Sequence, residues 1–142
     1  MPKIERRAKK VVESTVQDQI VKALSQMPDV VIHRNLVGTY ETVRAGWIKA
    51  GLGEGTADLV GWLSVPIGPS PGYPFGPSAG CRVARFLALE VKRPGGDNEH
   101  KAHEAEQRAW LELVRLRGGV AGIVHSAAEA VDLIEKARRW EC

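Results

Sequence analysis

Hydrophobic residues recur at helical spacing near the start of the chain and then give way to short apolar runs. The spacing predicts a first helix from about 11 to 27, which Pro28 closes. A run rich in branched residues at 30–38 predicts a strand. The glycine-rich stretch that follows, 38–55, indicates an irregular hairpin or loop that could hold one short strand at 42–48.

A second series of elements follows, separated by one long segment without charge. The predicted elements are a strand at 57–65, a strand at 82–92, a helix from about 98 to 117, a strand at 120–125 and a helix that begins at Ser126. Residues 64–81 carry five of the eight prolines, so we expect a Pro/Gly-rich loop insertion there. The order of elements predicts one α/β domain, 1–142, with a central mixed β-sheet flanked by helices.

The composition is that of an ordinary globular domain and excludes several other classes. The chain has 142 residues, 44% hydrophobic and 26% charged, which argues against general disorder and against a coiled-coil rod. Cys81 and Cys142 form neither a metal-binding spacing nor a disulfide framework. No apolar run approaches the length that spans a bilayer. We therefore expect a cytoplasmic protein, and the compact, single-domain format suggests a bacterial or phage-infected host cell.

The formal net charge of +3 conceals an uneven distribution of charged residues. Residues 1–10 form a basic arm, and a second basic stretch lies at 82–93, whereas residues 97–112 are predominantly acidic. Basic segments therefore flank an acidic helix, and the pI of about 9.0 is compatible with a nucleic-acid partner. The basic arm by itself is by default a solvated charged segment, and attachment to DNA is the alternative.

The most informative anomaly is the end of the strand at 82–92. Its centre is continuously apolar, as in a strand covered on both faces, yet Glu90 and Lys92 follow at once. Strand alternation puts the two side chains on one face, where a buried charge must be paired or bind a metal. A structural Glu–Lys pair at the sheet rim is the competing interpretation. The spacing alone is weak, because Glu99 and Lys101 repeat it in a polar segment.

A second carboxylate strengthens the case for a metal site. Asp58 opens the other apolar strand, and if the two strands are neighbours its carboxylate can converge with that of Glu90. Two carboxylates and the backbone carbonyl of Val91 form an all-oxygen site suited to Mg2+ or Mn2+. Such a cation polarises a phosphodiester and acidifies a bound water. Lys92 would orient or help deprotonate the attacking water.

In this order and spacing the motifs resemble those of the VRR-NUC family of the PD-(D/E)XK nuclease superfamily. The residues that carry the resemblance are Gly55-Thr56-Ala57-Asp58-Leu59, Leu89-Glu90-Val91-Lys92, Gln107 with Trp110-Leu111, Gly118-Gly119, and Glu13 and Gln17 on the first helix. The resemblance covers about 11–134. Ala57 stands where the family has a proline, and the 64–81 loop is longer than a minimal member needs.

The resemblance implies a restriction-endonuclease-like PD-(D/E)XK core of order αβββαβ and metal-dependent hydrolysis of DNA. It implies Asp58, Glu90 and the Val91 carbonyl as metal ligands, with Glu13 as a further ligand. Lys92 becomes the catalytic lysine and Gln107 a catalytic-site residue on the following helix. It also implies a homodimer acting on branched DNA, of Holliday-junction or flap type.

Other residues suggest contacts to DNA rather than chemistry. Arg44 and Lys49 flank Trp47, a basic and aromatic mixture that could contact a DNA backbone or stack on a base, although Trp47 could equally be a core residue. Arg93 and Lys101 are further candidate phosphate contacts. A zinc site around His103 is unfavourable, because glutamine stands in the place of the second histidine ligand. The glycines at 51–55 do not indicate a nucleotide-binding loop, because neither a Lys-Ser/Thr pair nor a helix start follows them.

The sequence leaves three classes of function open. The first is a Mg2+- or Mn2+-dependent DNA endonuclease, structure-specific or, alternatively, a restriction- or repair-type enzyme that cuts duplex DNA. The second is a non-catalytic DNA-binding module on the nuclease fold. The third is a structural protein in which Glu90 and Lys92 form a rim salt bridge.

Overall fold

The computed structural model describes residues 2–67, 81–94 and 101–139, with the backbone alone for 2–12 and 101. The elements in chain order are α1 (Pro2–Leu24), β1 (Val30–Arg34), β2 (Gly38–Thr42), β3 (Gly46–Ala50), β4 (Leu59–Pro66), β5 (Arg82–Val91), α2 (Lys101–Leu116), β6 (Val120–Val124) and α3 (Ala127–Arg138). The fold is α/β with a mixed central sheet flanked by helices, which confirms that part of the prediction.

The central sheet has four strands in the order β1-β4-β5-β6. β4 pairs antiparallel with β1 and with β5, whereas β5 and β6 run parallel and are joined through α2. The long antiparallel pair β4–β5 runs from Leu59 opposite Leu89 to Pro66 opposite Arg82. β2 and β3 form a separate two-stranded hairpin outside this sheet.

Alternation along β4 and β5 divides the interior into two cores, one on each face of the sheet. The larger core lies under α1 and α3 and includes Leu59, Leu87, Leu89 and Val91. The smaller core lies under α2 and is built largely from small residues, with Ala57, Ala88, Leu111 and Ala121 buried together. The residues that alternate with Leu89 and Val91 therefore face α2.

Two local features fix how closely the elements approach. Gly61 of β4 lies so near β1 that a Cβ there would come within 1.8 Å of the carbonyl oxygen of Val31, so a side chain cannot be accommodated. Arg85 of β5 is buried, and its guanidinium donates to the carbonyls of Gly118, Gly119 and Ala137. Arg85, counted from the sequence only as part of a basic stretch, thus links β5 to the ends of α2 and α3 from inside the fold.

Several predicted boundaries differ from those observed. Residues 2–10, predicted as a basic arm before the helix, belong to α1, which ends at Leu24 rather than 27. The glycine-rich stretch holds two strands rather than one, and β1 stops at Arg34. Residues 64–66, assigned to the loop insertion, extend β4, and 68–80 lie outside the described residues.

The helix after the last strand starts as predicted. Ser126 caps α3 by accepting from the N–H of Glu129, while the carboxylate of Glu129 accepts from the N–H of His125. Among the described helices, none combines the length and the apolar character that crossing a membrane requires.

Candidate active site

The register of the central strands brings Asp58 and Glu90 together. Leu59 lies opposite Leu89 in the antiparallel ladder, so one step further places Asp58 beside Glu90. The carboxylate of Asp58 accepts from the backbone N–H of Val91, with 2.8 Å between Oδ2 and N. Asp58 is therefore held by the very strand that carries Glu90 and Lys92.

Glu90 is almost completely removed from solvent, with 1% of its surface exposed. Its Oε1 accepts from Lys92 Nζ at 2.8 Å. Among the described residues, no backbone N–H and no basic or amide side chain donates to its Oε2. Burial, together with the charge of Asp58, raises the pKa of Glu90 to about 7, against the lowering effect of its hydrogen bond to Lys92. Glu90 is therefore a buried carboxylate with one oxygen paired to Lys92 and the other without such a donor.

The three acidic side chains nearest the sheet end affect one another. Burial raises the pKa of Asp58, against the lowering effects of the Val91 N–H, of Lys92 and of a hydrogen bond from Glu90. That last bond requires a proton shared between the two carboxyl groups. Burial and the charge of Asp58 also raise the pKa of Glu13 on α1, which is half-buried. The cluster therefore favours uptake of a proton or of another cation.

Lys92 supplies the positive charge that the cluster does contain. Its Nζ donates to Glu90 Oε1 and, at 3.2 Å, to Gln107 Oε1. Burial alone would lower the pKa of Lys92, but the hydrogen bond to Glu90 and the charges of Glu90 and Asp58 raise it above its usual value. Lys92 is thus a protonated donor in this arrangement, which favours an orienting role over that of a base.

Helix α2 covers the cluster from the second face of the sheet. Gln107 is buried and projects to Lys92 from the helix, next to Leu111 in the smaller core. His103 lies one turn before Gln107, and its charge lowers the pKa of Asp58. The sequence placed Gln107 at this site, whereas it gave His103 no role beyond a rejected zinc motif.

Asn35 is a residue that the sequence reading missed. It follows β1 directly; its N–H donates to the carbonyl of Asp58, and its side chain donates to Thr56 Oγ1 and the Ala57 carbonyl. Its Oδ1 accepts from the N–H of Leu52. Asn35 therefore fixes the backbone on which Asp58 lies. The available signal was an asparagine at a strand end, where its side chain commonly bonds to nearby backbone groups.

The remaining predicted residues fall in two places. Glu13 and Arg93 lie near the cluster, since the charge of Arg93 lowers the pKa of Glu13. Gln17, one helical turn after Glu13, accepts from Arg34 at 3.2 Å, and Arg34 also pairs with Asp18.

The other predicted DNA contacts lie on the β2–β3 hairpin and at the start of α2. Arg44 and Lys49 are exposed on the β2–β3 hairpin. Trp47 is 69% exposed, so the interpretation of Trp47 as a core residue is wrong. The side chain of Lys101 lies outside the described residues.

The oxygen atoms at this site can be compared with the ligands that a divalent cation requires. Among the side chains that the structure describes, no three His, Cys, Asp or Glu groups gather closely enough to hold a metal ion by themselves. Asp58 and Glu90 nevertheless supply two converging carboxylates. Glu90 Oε2 is a buried acceptor to which no described backbone N–H and no described basic or amide side chain donates. Two hard oxygen ligands and a strand carbonyl fit Mg2+ or Mn2+, which complete their coordination with water.

Comparisons with known proteins add no relationship to this geometry. No protein-family model matches the chain, and no curated protein matches it.

Proposed function

We propose that the chain is a Mg2+- or Mn2+-dependent DNA endonuclease of the VRR-NUC type, with a PD-(D/E)XK core, acting on branched DNA as a homodimer. The observation that carries the proposal is the convergence of Asp58, Glu90 and Lys92 at one sheet end, where Glu90 is buried and its Oε2 accepts from no described backbone N–H and no described basic or amide side chain. The sequence of elements in the central sheet with its crossing helices, αβββαβ, supports the core assignment. The resemblance of the motifs contributes the family.

The mechanism follows from what each side chain can hold. Asp58, Glu90 and the carbonyl of Val91 would bind the cation, with Glu13 close by. A cation bound there would polarise the scissile phosphate and acidify a water. The Val91 N–H holds the Asp58 carboxylate in one orientation, so this side chain does not have to be ordered when the cation binds.

Lys92 and Gln107 act on the nucleophile and on the phosphate. Protonated Lys92 carries three donors, two of which contact Glu90 and Gln107. The third is available to a water or to a non-bridging phosphate oxygen, where it orients the nucleophile and stabilises the charge that develops in the transition state. Gln107 positions Lys92 through its Oε1 from α2.

The competing functions predict different results in one experiment. A supercoiled plasmid and a synthetic four-way junction are incubated with the protein in Mg2+, Mn2+ or EDTA. Glu90→Gln and Lys92→Ala are compared with Lys136→Ala, whose lysine pairs with Asp132 on the exposed face of α3. We expect metal-dependent cutting by the wild type and by the control, and its loss in the two site variants.

Each of the other outcomes favours a different function or contradicts the proposed site. Cutting that survives both site substitutions contradicts the assignment of the site. Binding of DNA without cutting under every condition favours the DNA-binding module. A preference for plasmid over the junction favours the restriction- or repair-type enzyme. Absence of any metal effect on thermal unfolding, where an occupied site should raise the melting temperature, favours the rim salt bridge.

A further inference from the structure

The β2–β3 hairpin stands outside the central sheet with both of its faces exposed. The three central residues of β2 and the first four of β3 are exposed, and they include side chains that point to opposite faces. An isolated two-stranded hairpin is marginally stable in water, so its exposure calls for a binding partner. We refer to this hairpin, residues 38–50, as the arm, which is a different segment from the basic residues 1–10.

The arm carries aromatic and basic side chains in a defined arrangement. Tyr40 lies opposite Ile48 on one face, and Trp47 lies opposite Glu41 on the other, where Lys49 also lies. The turn between the strands places Arg44 at the tip, exposed. Beside Arg44 lies Val43, a large apolar residue that is fully exposed.

The root of the arm is fixed to the candidate active site. Asn35 Oδ1 accepts from the N–H of Leu52, while the N–H of Asn35 donates to the carbonyl of Asp58. Gly51 has φ of +83°, and a Cβ there would meet the Cα of Val37 at 2.7 Å. The segments that enter and leave the arm are therefore closely packed at its root. Motion of the arm is therefore tied to the backbone of Asp58.

We propose that the arm binds in a groove of the DNA beside the scissile phosphate, with Val43 and Arg44 at its tip. The inference rests on the proposed nuclease function and deepens it. A two-stranded β-ribbon fits the major groove of B-DNA, and proteins that bind the minor groove insert apolar side chains between base steps. Five-residue strands extend about 17 Å, which corresponds to about five base pairs from the active site.

The charge and the exposure of the arm favour DNA over a second copy of the chain. Arg44 and Lys49 outnumber Glu41, so the arm has a net positive charge and suits a phosphate backbone. A dimer interface would cover mainly one face of the hairpin, whereas a groove encloses both faces. Trp47 and Lys49 share a face, which allows stacking on a base with a cation beside the adjacent phosphate.

The first test measures binding with arm variants. Labelled four-way junction and linear duplex are titrated with the protein in Ca2+, followed by fluorescence anisotropy. We expect Arg44→Ala combined with Trp47→Ala to weaken binding by about ten-fold or more, because a stacked aromatic contributes up to about a hundred-fold. Trp62→Ala is the matched control, since Trp62 is 44% exposed on β4 of the central sheet. Unchanged melting temperatures verify that both variants are folded.

The second test locates the tip on the DNA with a label whose own cutting does not depend on the candidate active site. Val43→Cys, in a chain with Cys81→Ser and Cys142→Ser, is labelled with an iron–EDTA reagent that cuts nearby DNA. We expect cuts about five base pairs from the site of hydrolysis. The control is Leu116→Cys, labelled in the same way. Leu116 ends α2 and is 74% exposed.

The results separate failure of this inference from failure of the proposed function. DNA binding that the arm variants leave unchanged, with no cuts from the tip, overturns the arm while the nuclease proposal stands. Arm variants that convert a dimer into a monomer in light scattering, at unchanged DNA affinity per protomer, overturn it in favour of an interface between copies. Wild-type protein that binds neither DNA overturns both proposals.

Discussion

Replacing Glu90 with glutamine should stabilise the metal-free protein above neutral pH. Glu90 is buried to 1% exposure, and burial together with the charge of Asp58 raises its pKa from 4.5 to about 7. Glutamine has nearly the same shape, carries no charge, and can still accept from Lys92. The substitution therefore removes a buried negative charge while it retains the hydrogen bond to Lys92.

The sign and the size of the effect follow from proton linkage. A carboxyl whose pKa is higher in the folded than in the unfolded state holds its proton more tightly when folded, so the free energy of unfolding falls as pH rises from about 4.5 to 7. The rise of the Glu90 pKa from 4.5 to about 7, at 1.36 kcal/mol for each tenfold change in proton affinity, corresponds to roughly 3 kcal/mol. The raised pKa values of Asp58 and Glu13 act in the same direction.

Urea denaturation in EDTA at pH 4, 6 and 8 measures the difference. We expect Glu90→Gln to exceed the wild type by about 2–3 kcal/mol at pH 8 and to match it at pH 4. The control is Glu112→Gln, which removes an exposed carboxylate that pairs with Arg115 on α2. A wild type that is as stable as the variant at pH 8, or a difference that is the same at every pH, would refute the reasoning.

Two further predictions concern residues that the sequence did not mark. Arg85→Met should lower the free energy of unfolding by about 2–4 kcal/mol, because the carbonyls of Gly118, Gly119 and Ala137 lose a charged donor; urea denaturation measures this, and a loss below 1 kcal/mol would contradict it. Asn35→Ala should reduce kcat of DNA cleavage by about ten-fold or more at unchanged KM, because the backbone of Asp58 is held less firmly. Equal kcat in steady-state cleavage assays would show that Asn35 does not position Asp58.

The central strands and the site were accessible from the sequence because one rule governs both. Alternation along an apolar strand determines which side chains share a face, and this rule placed Glu90 and Lys92 together. Asp58 needed one assumption more, that β4 and β5 are neighbours, as the two strands of a long hairpin would be. The ladder from Leu59 to Leu89 then brings the two carboxylates side by side.

The rest could not be predicted because it depends on contacts between distant parts of the chain. The charge of Arg85 is typical of a surface strand, and its burial follows from carbonyls that only the folded chain brings near it. The arm lacks a strong alternating pattern, since it contacts solvent on both faces. The first ten residues of α1 carry many charges and no apolar stripe, so helical periodicity gave no signal there.

A site that destabilises its own protein requires a fold that can sustain the cost. Leu89 and Val91 flank Glu90 on β5 and are completely buried on the opposite face of the sheet. Burial of each contributes about 1.5–3 kcal/mol, so the two together match or exceed the roughly 3 kcal/mol that Glu90 costs when ionised. The same strand thus holds an unfavourable carboxylate in a fixed position by its alternate residues. Loss of cleavage in Glu90→Gln with stability retained or raised is therefore the result that separates an active-site role from a packing role.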